Sequence, residues 1–372
     1  MFLDSPFEYV SLTFRNIRFF LKIMLFGRIE RIENPPKYYN DEMDESSEKF
    51  QKFKKYYDDE ILPKLEDFER QRVDTLKGLR IHFWIMVFLL VSVFFILGYV
   101  VAEYSGNPRV KVFWAIILIT TALLPIYYSN KLVEKYIRKI KQELYTAVVK
   151  FFGRGFLYKK DKIREFFFTK NSAHLGNRIN EKQIIDSGFD NDYVEGEYRN
   201  NKIQFVDATL KSYPVSKNPY GSIAGVGSTK IFSGFLILIT REEKLSGYTV
   251  VAINKISDKY FKDLKGLSKI TEHPFAGDIQ IYSNDAKEAS SLITDSFIEN
   301  INKLAGSFGA VDASCAFYDD KLLIRIPLEK RFFDISIFKP ITLIEESNRF
   351  LRVMDKIYAI IDGFSDNKEK TA

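Results

Sequence analysis

Cysteine and histidine are almost missing from this chain, with one Cys and three His in 372 residues. The lone Cys315 has no partner for an intramolecular disulfide, and so few thiols and imidazoles exclude a cysteine- or histidine-rich structural zinc site. His82, His174 and His273 lie far apart and form no HExxH pair. No serine sits in a GxSxG turn. A strong charge of one sign is missing too. The 55 basic and 49 acidic residues leave a net charge of +6, too mild an excess to argue for nucleic acid, and no nucleic-acid-binding module is recognisable. What the chain has in quantity is apolar side chains, 46% of it, with 34 Phe and 21 Tyr. That content excludes global disorder.

Charge is absent altogether from Ile81 to Ala102, IHFWIMVFLLVSVFFILGYVVA, 22 residues without Asp, Glu, Lys or Arg. A helix of that length crosses the hydrocarbon core of a bilayer. Val112 to Tyr128, VFWAIILITTALLPIYY, has 17 residues, near the lower limit for a span, so a second span and a re-entrant segment both fit. Trp84, Trp114, Tyr127 and Tyr128 lie near the ends of the two runs, where amphipathic rings favour the membrane–water interface. Arg70, Arg72, Lys77 and Arg80 precede the first run, and Lys131, Lys135, Arg138, Lys139 and Lys141 follow the second. The intervening AEYSGNPRVK carries only Arg109 and Lys111. The charge bias predicts an external turn with both flanks, and hence both termini, cytoplasmic. The spans hold no ionisable group except His82 at the edge, which argues against an ion pathway through a single copy.

Upstream, Ser11 to Arg28 sets Arg15, Arg18 and Lys22 on one helical stripe among apolar residues. Such a helix lies in the membrane interface with its cations toward phosphates, or docks on the body of the protein. Cations interrupt it and no small-residue cleavage site follows, unlike a signal peptide. Phe50, Phe53, Tyr57, Ile61, Leu65 and Phe68 recur at spacings of three and four. They predict an amphipathic helix, bent or restarted at Pro63. Val133, Ile137, Ile140, Leu144 and Val148 repeat the pattern, so the two stripes are expected to pair antiparallel as a stalk.

From about His174 the pattern becomes β-rich. DYVEGEYRNNKIQFVDATL predicts a hairpin turning at Asn200-Asn201. KIFSGFLILIT, GYTVVAIN and DIQIYS follow as strands. Two short helices come next, with Asp285 and Asp295 as expected N-caps. A second hairpin turns at Asp319-Asp320, and an amphipathic helix spans Ile341 to Ile361. The expected fold is a membrane α-helical hairpin plus an α+β soluble domain with a mainly antiparallel sheet. The expected divisions are 1–36, 37–80, 81–128 (spans 81–102 and 112–128), 129–173, 174–364 and a disordered tail, 365–372.

Candidate chemistry is sparse. In YGSIAGVGSTK, Tyr220 to Lys230, Ser228 and Thr229 separate the last Gly from Lys230, and the next segment reads as a strand. Both features break the phosphate-loop pattern. Asp190, Asp192, Glu195 and Glu197 form the densest carboxylate group and could hold Ca²⁺ or Mg²⁺, although Gly196 is misplaced for an EF-hand loop. Cys315 sits in an apolar alternating strand and reads as a core thiol. No cofactor motif is present.

Five stretches, ILPKLEDFERQR, DNDYVEGEYRNNKIQFVDATL, IFSGFLILIT, FAGDIQIYSNDAKEASSLITDSFIENINKL and FYDDKLLIRIP, resemble a bacterial membrane-protein family known as domain of unknown function 3137. The resemblance runs from about Phe50 to Phe364. It implies a charged helix, two spans, a further helix and a β-rich domain in a bacterial inner membrane, and it implies no catalytic residues. The residues and the resemblance together favour a binding or scaffold module held at the lipid bilayer. Its candidate contact surfaces are the strand faces and the Gly-rich loop, for a cytosolic or membrane protein partner or a second copy of the chain. A membrane enzyme using the Asp190–Glu197 carboxylates and an oligomeric channel or transport accessory are the alternatives.

Overall fold

The computed structural model describes residues 29, 36–37, 39, 47–103, 108–153, 155–160, 183–186, 192–214, 229–253, 266–270, 279–310, 312–329, 331–333 and 335–371. They fall mainly into two compact units. A helical one holds Ser46–Leu144 with Ile335–Thr342, and a sheet one holds Tyr145–Asp334 with Leu343–Ala372.

In the helical unit, α1 spans Glu48–Tyr56, capped by Ser47, whose hydroxyl accepts from the Phe50 N–H at 3.2 Å. The chain does not break at Pro63. A π-helical turn, Tyr57–Ile61, leads directly into α2, Leu62–Glu103. Proline lacks an N–H and crowds the carbonyl four residues back, and the widened turn accommodates both. Phe50, Phe53, Tyr57, Ile61, Leu65, Phe68, Leu76 and Leu79 are all buried. They continue the expected stripe for more than two further turns. The second long helix, α3, spans Pro108–Ile140 and packs along α2. There Tyr136 Oη donates to the Phe68 carbonyl at 3.2 Å, and Lys139 Nζ donates to Gln71 at 3.1 Å.

The segment Ile335–Thr342 belongs to this helical unit although it follows the last strand in sequence. Tyr57 Oη donates to the Thr342 carbonyl at 2.5 Å. Arg72, 1% exposed, donates to both oxygens of Glu69, 2% exposed, at 2.7 and 2.8 Å, and to the Ile337 carbonyl at 3.0 Å. A buried charge persists only when paired and hydrogen-bonded, and this guanidinium is both.

The sheet unit opens with a π-helical turn, Lys141–Tyr145, shared across the division, and a short helix α4, Thr146–Lys150. Its strands are β1 Leu157–Lys160, β2 Gln183–Asp186, β3 Asp192–Tyr198, β4 Asn201–Pro214, β5 Thr229–Thr240, β6 Thr249–Ile253, β7 Ser268–Ile270, β8 Ile279–Ser283, β9 Ala313–Tyr318 and β10 Lys321–Pro327. Helices α5, Ala286–Leu292, and α6, Asp295–Ser307, lie between β8 and β9, and α7, Ile344–Thr371, ends the chain. The sheet order is β1-β3-β4-β5-β10-β9-β6-β8-β7, with β2 on β4, and every pairing among the described residues is antiparallel. The α+β reading with an antiparallel sheet therefore holds. The β9–β10 hairpin lies between β5 and β6, so strands consecutive in sequence are not neighbours there.

Cross-strand register puts Val194, Phe205, Ile237, Ile324, Cys315, Val251 and Ile281 in one row on one face. Rings from the helical segments meet this face, Phe350 against Phe205 and Phe297 against Phe317. The other face is also buried, by Tyr193, Val206, Leu236, Leu238, Val250, Ala316 and Leu323. Burial on both faces explains why β5 reads as a continuous apolar run rather than an alternation.

Four local expectations are corrected. The first hairpin turns at Arg199-Asn200, with φ of +48° and +60°, while Asn201 already belongs to β4. Two successive positive-φ residues match the twist of the flanking strands. The cap of α6 is Thr294, whose hydroxyl accepts from the Phe297 N–H at 3.1 Å. Asp295 instead occupies the first turn, where the helix dipole favours a carboxylate. The last helix begins at Ile344, not Ile341, because Ile335–Thr342 pairs with the helical unit, and it continues to Thr371 through the segment read as a disordered tail.

Replacing Arg72 with Met should take the bidentate guanidinium away from the buried Glu69 carboxylate, lowering unfolding stability by about 3–5 kcal/mol. The double replacement of Arg72 with Met and Glu69 with Leu should cost much less. Denaturant unfolding of the purified full-length protein measures both; equal losses would show that packing, not charge, dominates the site.

Candidate functional site

Of the carboxylates singled out by the sequence, the three that are described do not converge. Asp190 lies outside the described residues. In β3, alternation sends Asp192 to the helix-covered face and Glu195 and Glu197 to the other. Glu195 is ion-paired to Lys159 of β1 and accepts from Tyr193 Oη at 2.9 Å, while Gln204 donates to that hydroxyl at 2.5 Å. Burial pushes the Glu195 carboxyl up, but the bonds from Lys159 and Tyr193 outweigh it and hold the group below its ordinary range. Glu197 is exposed. No group of three or more His, Cys, Asp or Glu that could hold a metal occurs among the described residues.

Asp192 meets a residue that sequence reasoning passed over. Its cross-strand partner is Asp207 in β4, and both are buried. Tyr158 Oη donates to Asp192 Oδ1. Asp207 Oδ2 accepts from the backbone N–H of Phe332 at 2.5 Å and of Phe333 at 3.2 Å. Arg331 completes the group, with Nη2 3.6 Å from Asp192 Oδ2 and Nε 3.9 Å from Asp207 Oδ2. Burial raises the Asp207 carboxyl from 3.8 to about 6, Arg331 and the Phe333 N–H oppose the rise, and Asp192 adds to it. Asp207 follows Ile203 and Phe205 at inward positions of one strand. A charge at an apolar parity position was the available signal.

Chemically, this constellation fastens the chain after β10 to the sheet. The two carboxylates are sealed, and of the group only the Arg331 side chain is as much as 28% exposed. Cys315, also sealed in the sheet, is a core thiol whose pKa burial pushes up. The central strands are buried on both faces, whereas Glu197 and Lys202 nearer the edge are exposed. The Gly-rich stretch before Thr229 lies outside the described residues, as do His174, His273 and the stripe of Arg15, Arg18 and Lys22.

The most exposed apolar surface belongs to α2 and α3. Along α2, burial stops between Leu79, 1% exposed, and Ile81, 61% exposed. Phe88, Phe94, Phe95 and Tyr99 are exposed beyond it, and on α3 Val112, Phe113 and Ile116. Within Glu48–Tyr99 lies a window long and apolar enough to cross a membrane, and none of it is buried. It is the one helix of this kind among the described residues. Trp84, Tyr127 and Tyr128 are exposed and Trp114 is half-buried.

Residues 230–365 match the model of a family described as a protein of unknown function (DUF3137). The match takes in β5 through most of α7, and with them three of the five stretches that carried the resemblance. ILPKLEDFERQR and DNDYVEGEYRNNKIQFVDATL precede it. No curated protein and no solved structure matches the chain.

Because the folded-state pKa of Asp207 lies above its ordinary value, its contribution to stability is complete below about pH 4 and is lost as pH rises through about 6. Replacing Asp207 with Asn should remove that dependence. The stability of the native protein relative to the variant should fall by up to about 3 kcal/mol between about pH 4 and pH 7. Parallel unfolding curves across this range would mean that the carboxyl titrates normally.

Proposed function

We propose that this chain is an integral membrane protein in which α2 and α3 form a two-span hairpin, residues 81–102 and 112–128, carrying a cytoplasmic α+β unit that acts as a binding or scaffold module. One observation carries the membrane reading: a single helix passes within two residues from a buried amphipathic stripe to a broad exposed apolar surface, with only the face carrying Phe83, Met86, Val87, Leu90, Val93 and Leu97 half-buried. In water an exposed apolar surface of that extent is a strong liability, whereas in hydrocarbon it is the expected exterior. A soluble core helix would be buried over the same window. The length and exposed apolar residues of α3 support the second span, and the excess of cations on the outer flanks supports cytoplasmic termini.

The binding role rests on what the charges of the sheet unit do. Asp192, Asp207 and Arg331 engage one another and the backbone of Phe332 and Phe333, a structural arrangement rather than one open to substrate. The contact surface then falls to sheet edges and loops.

The protein should remain in the membrane pellet after alkaline carbonate extraction. Replacing Phe88, Phe94 and Phe95 with Asp should abolish that retention, because charge at mid-span is costly. Paired reporters at the two termini should both read inside. Release of the native chain by carbonate would remove the membrane reading, and an external C-terminus would remove the hairpin orientation.

A further inference from the structure

The nine cations flanking the apolar runs look equivalent in sequence, and the structure sorts them. Arg72 is buried on Glu69. Arg70 pairs with Asp67, Lys77 with Asp74, and Arg138 with Glu134. Lys139 donates to Gln71 and lies over the Phe68 ring, and Lys141 is buried. Arg80, Lys131 and Lys135 remain, without a carboxylate in ion-pairing distance among the described residues. Glu134, which acts on Lys131 only at a distance, is bonded to Arg138.

Arg80 and Lys131 sit near the boundary where burial stops, and Lys135 one turn beyond Lys131. Arg80 directly precedes the exposed Ile81. The contacts of Tyr136 with Phe68 and of Lys139 with Gln71 set the antiparallel level of the two helices. At 1.5 Å rise per residue, that register brings Arg80 beside the turn Tyr127–Lys131. Lys131 Nζ lies 4.5 Å over the Tyr127 ring. Lys131 and Lys135 are exposed and four residues apart on one helix face, a spacing at which like charges repel unless an anion lies between them.

We propose that Arg80, Lys131 and Lys135 form a binding site for the phosphate of an anionic phospholipid headgroup at this end of the hairpin. The site rests on the membrane reading above. Charge complementarity selects the occupant. On the membrane reading the cations stand near the level of lipid phosphates, next to tyrosines, while each of the other flanking cations has an acid, an amide or a buried position of its own. Arg80 stands on one helix and the two lysines on the other, so a headgroup in this zone could be met from both helices.

The chain has two tryptophans, and Trp84 lies about one turn from Arg80. Replacing Trp114 with Phe leaves Trp84 as sole reporter. This full-length protein is reconstituted in vesicles of phosphatidylcholine and phosphatidylglycerol, equimolar, with either one or the other brominated on its acyl chains. Brominated phosphatidylglycerol should quench Trp84 several-fold more effectively at low salt. The difference should shrink as salt rises from about 0.1 M to about 1 M, where the Debye length falls from about 10 Å to about 3 Å. It should also vanish when Arg80, Lys131 and Lys135 are all replaced by Gln, with helix content unchanged by circular dichroism. Equal quenching by the two lipids overturns the site while leaving the membrane reading intact. A preference that survives the triple replacement overturns the assignment to these residues. Loss of the preference on adding inorganic phosphate at constant ionic strength would show that the site takes free phosphate instead of lipid. No quenching by either lipid overturns the membrane reading itself.

Discussion

A buried charge must find its partners inside the protein, and the stretch from Arg331 to Thr342 supplies them to both units. On the sheet side, Arg331 approaches Asp192 and Asp207, and the Phe332 and Phe333 N–H groups bond to Asp207. On the helical side, the Ile337 carbonyl accepts from Arg72 and the Thr342 carbonyl from Tyr57. The next residue, Leu343, has a φ of +53°, uncommon for a bulky side chain, at the point where the chain returns to the sheet unit. The irregular backbone here is thus determined by side chains in two separate cores. Backbone groups outside helices and sheets need such partners, and buried side-chain charges need such backbone.

The second governing constraint is a change of surface along one helix. Up to Leu79, α2 obeys the rules of an aqueous protein, with one buried stripe and charged flanks joined by ion pairs three or four residues apart. From Ile81 the pattern inverts, and large apolar side chains such as Phe88, Phe94, Phe95 and Tyr99 are exposed. On the proposed membrane reading, the aromatic and cationic residues near the transition would occupy the one zone where an amphipathic side chain satisfies both environments.

Much of this was legible residue by residue. The spacing of Phe50, Phe53, Tyr57, Ile61, Leu65 and Phe68 reports one buried helical face because side chains three and four apart share it. The uncharged run from Ile81 reports its surroundings by composition alone. The β9–β10 hairpin was legible from Asp319-Asp320, and Asp319 does take a positive φ of +49°. The misread points were those where two chemically similar choices compete. Arg199-Asn200 and Asn200-Asn201 are one residue apart, and cross-strand register decides between them. Thr294 and Asp295 can both cap a helix, and the tertiary path of the preceding chain selects the threonine.

The sequence by itself determined the apolar span, the amphipathic stripe and the α+β character, since these follow from periodicity and composition within short windows. Tertiary structure alone decided which charges are structural. Asp192 and Glu195 look alike in sequence, yet strand alternation buries one and leaves the other on a salt-bridged face. Asp207, 15 positions after Asp192 in the chain, becomes its direct neighbour only when β3 and β4 pair. The nine flanking cations likewise separate into paired, buried and exposed ones only when two helices and a distant segment are packed together. Periodicity is a local property of the chain, whereas the partner of a charge is fixed by contacts between residues far apart in it.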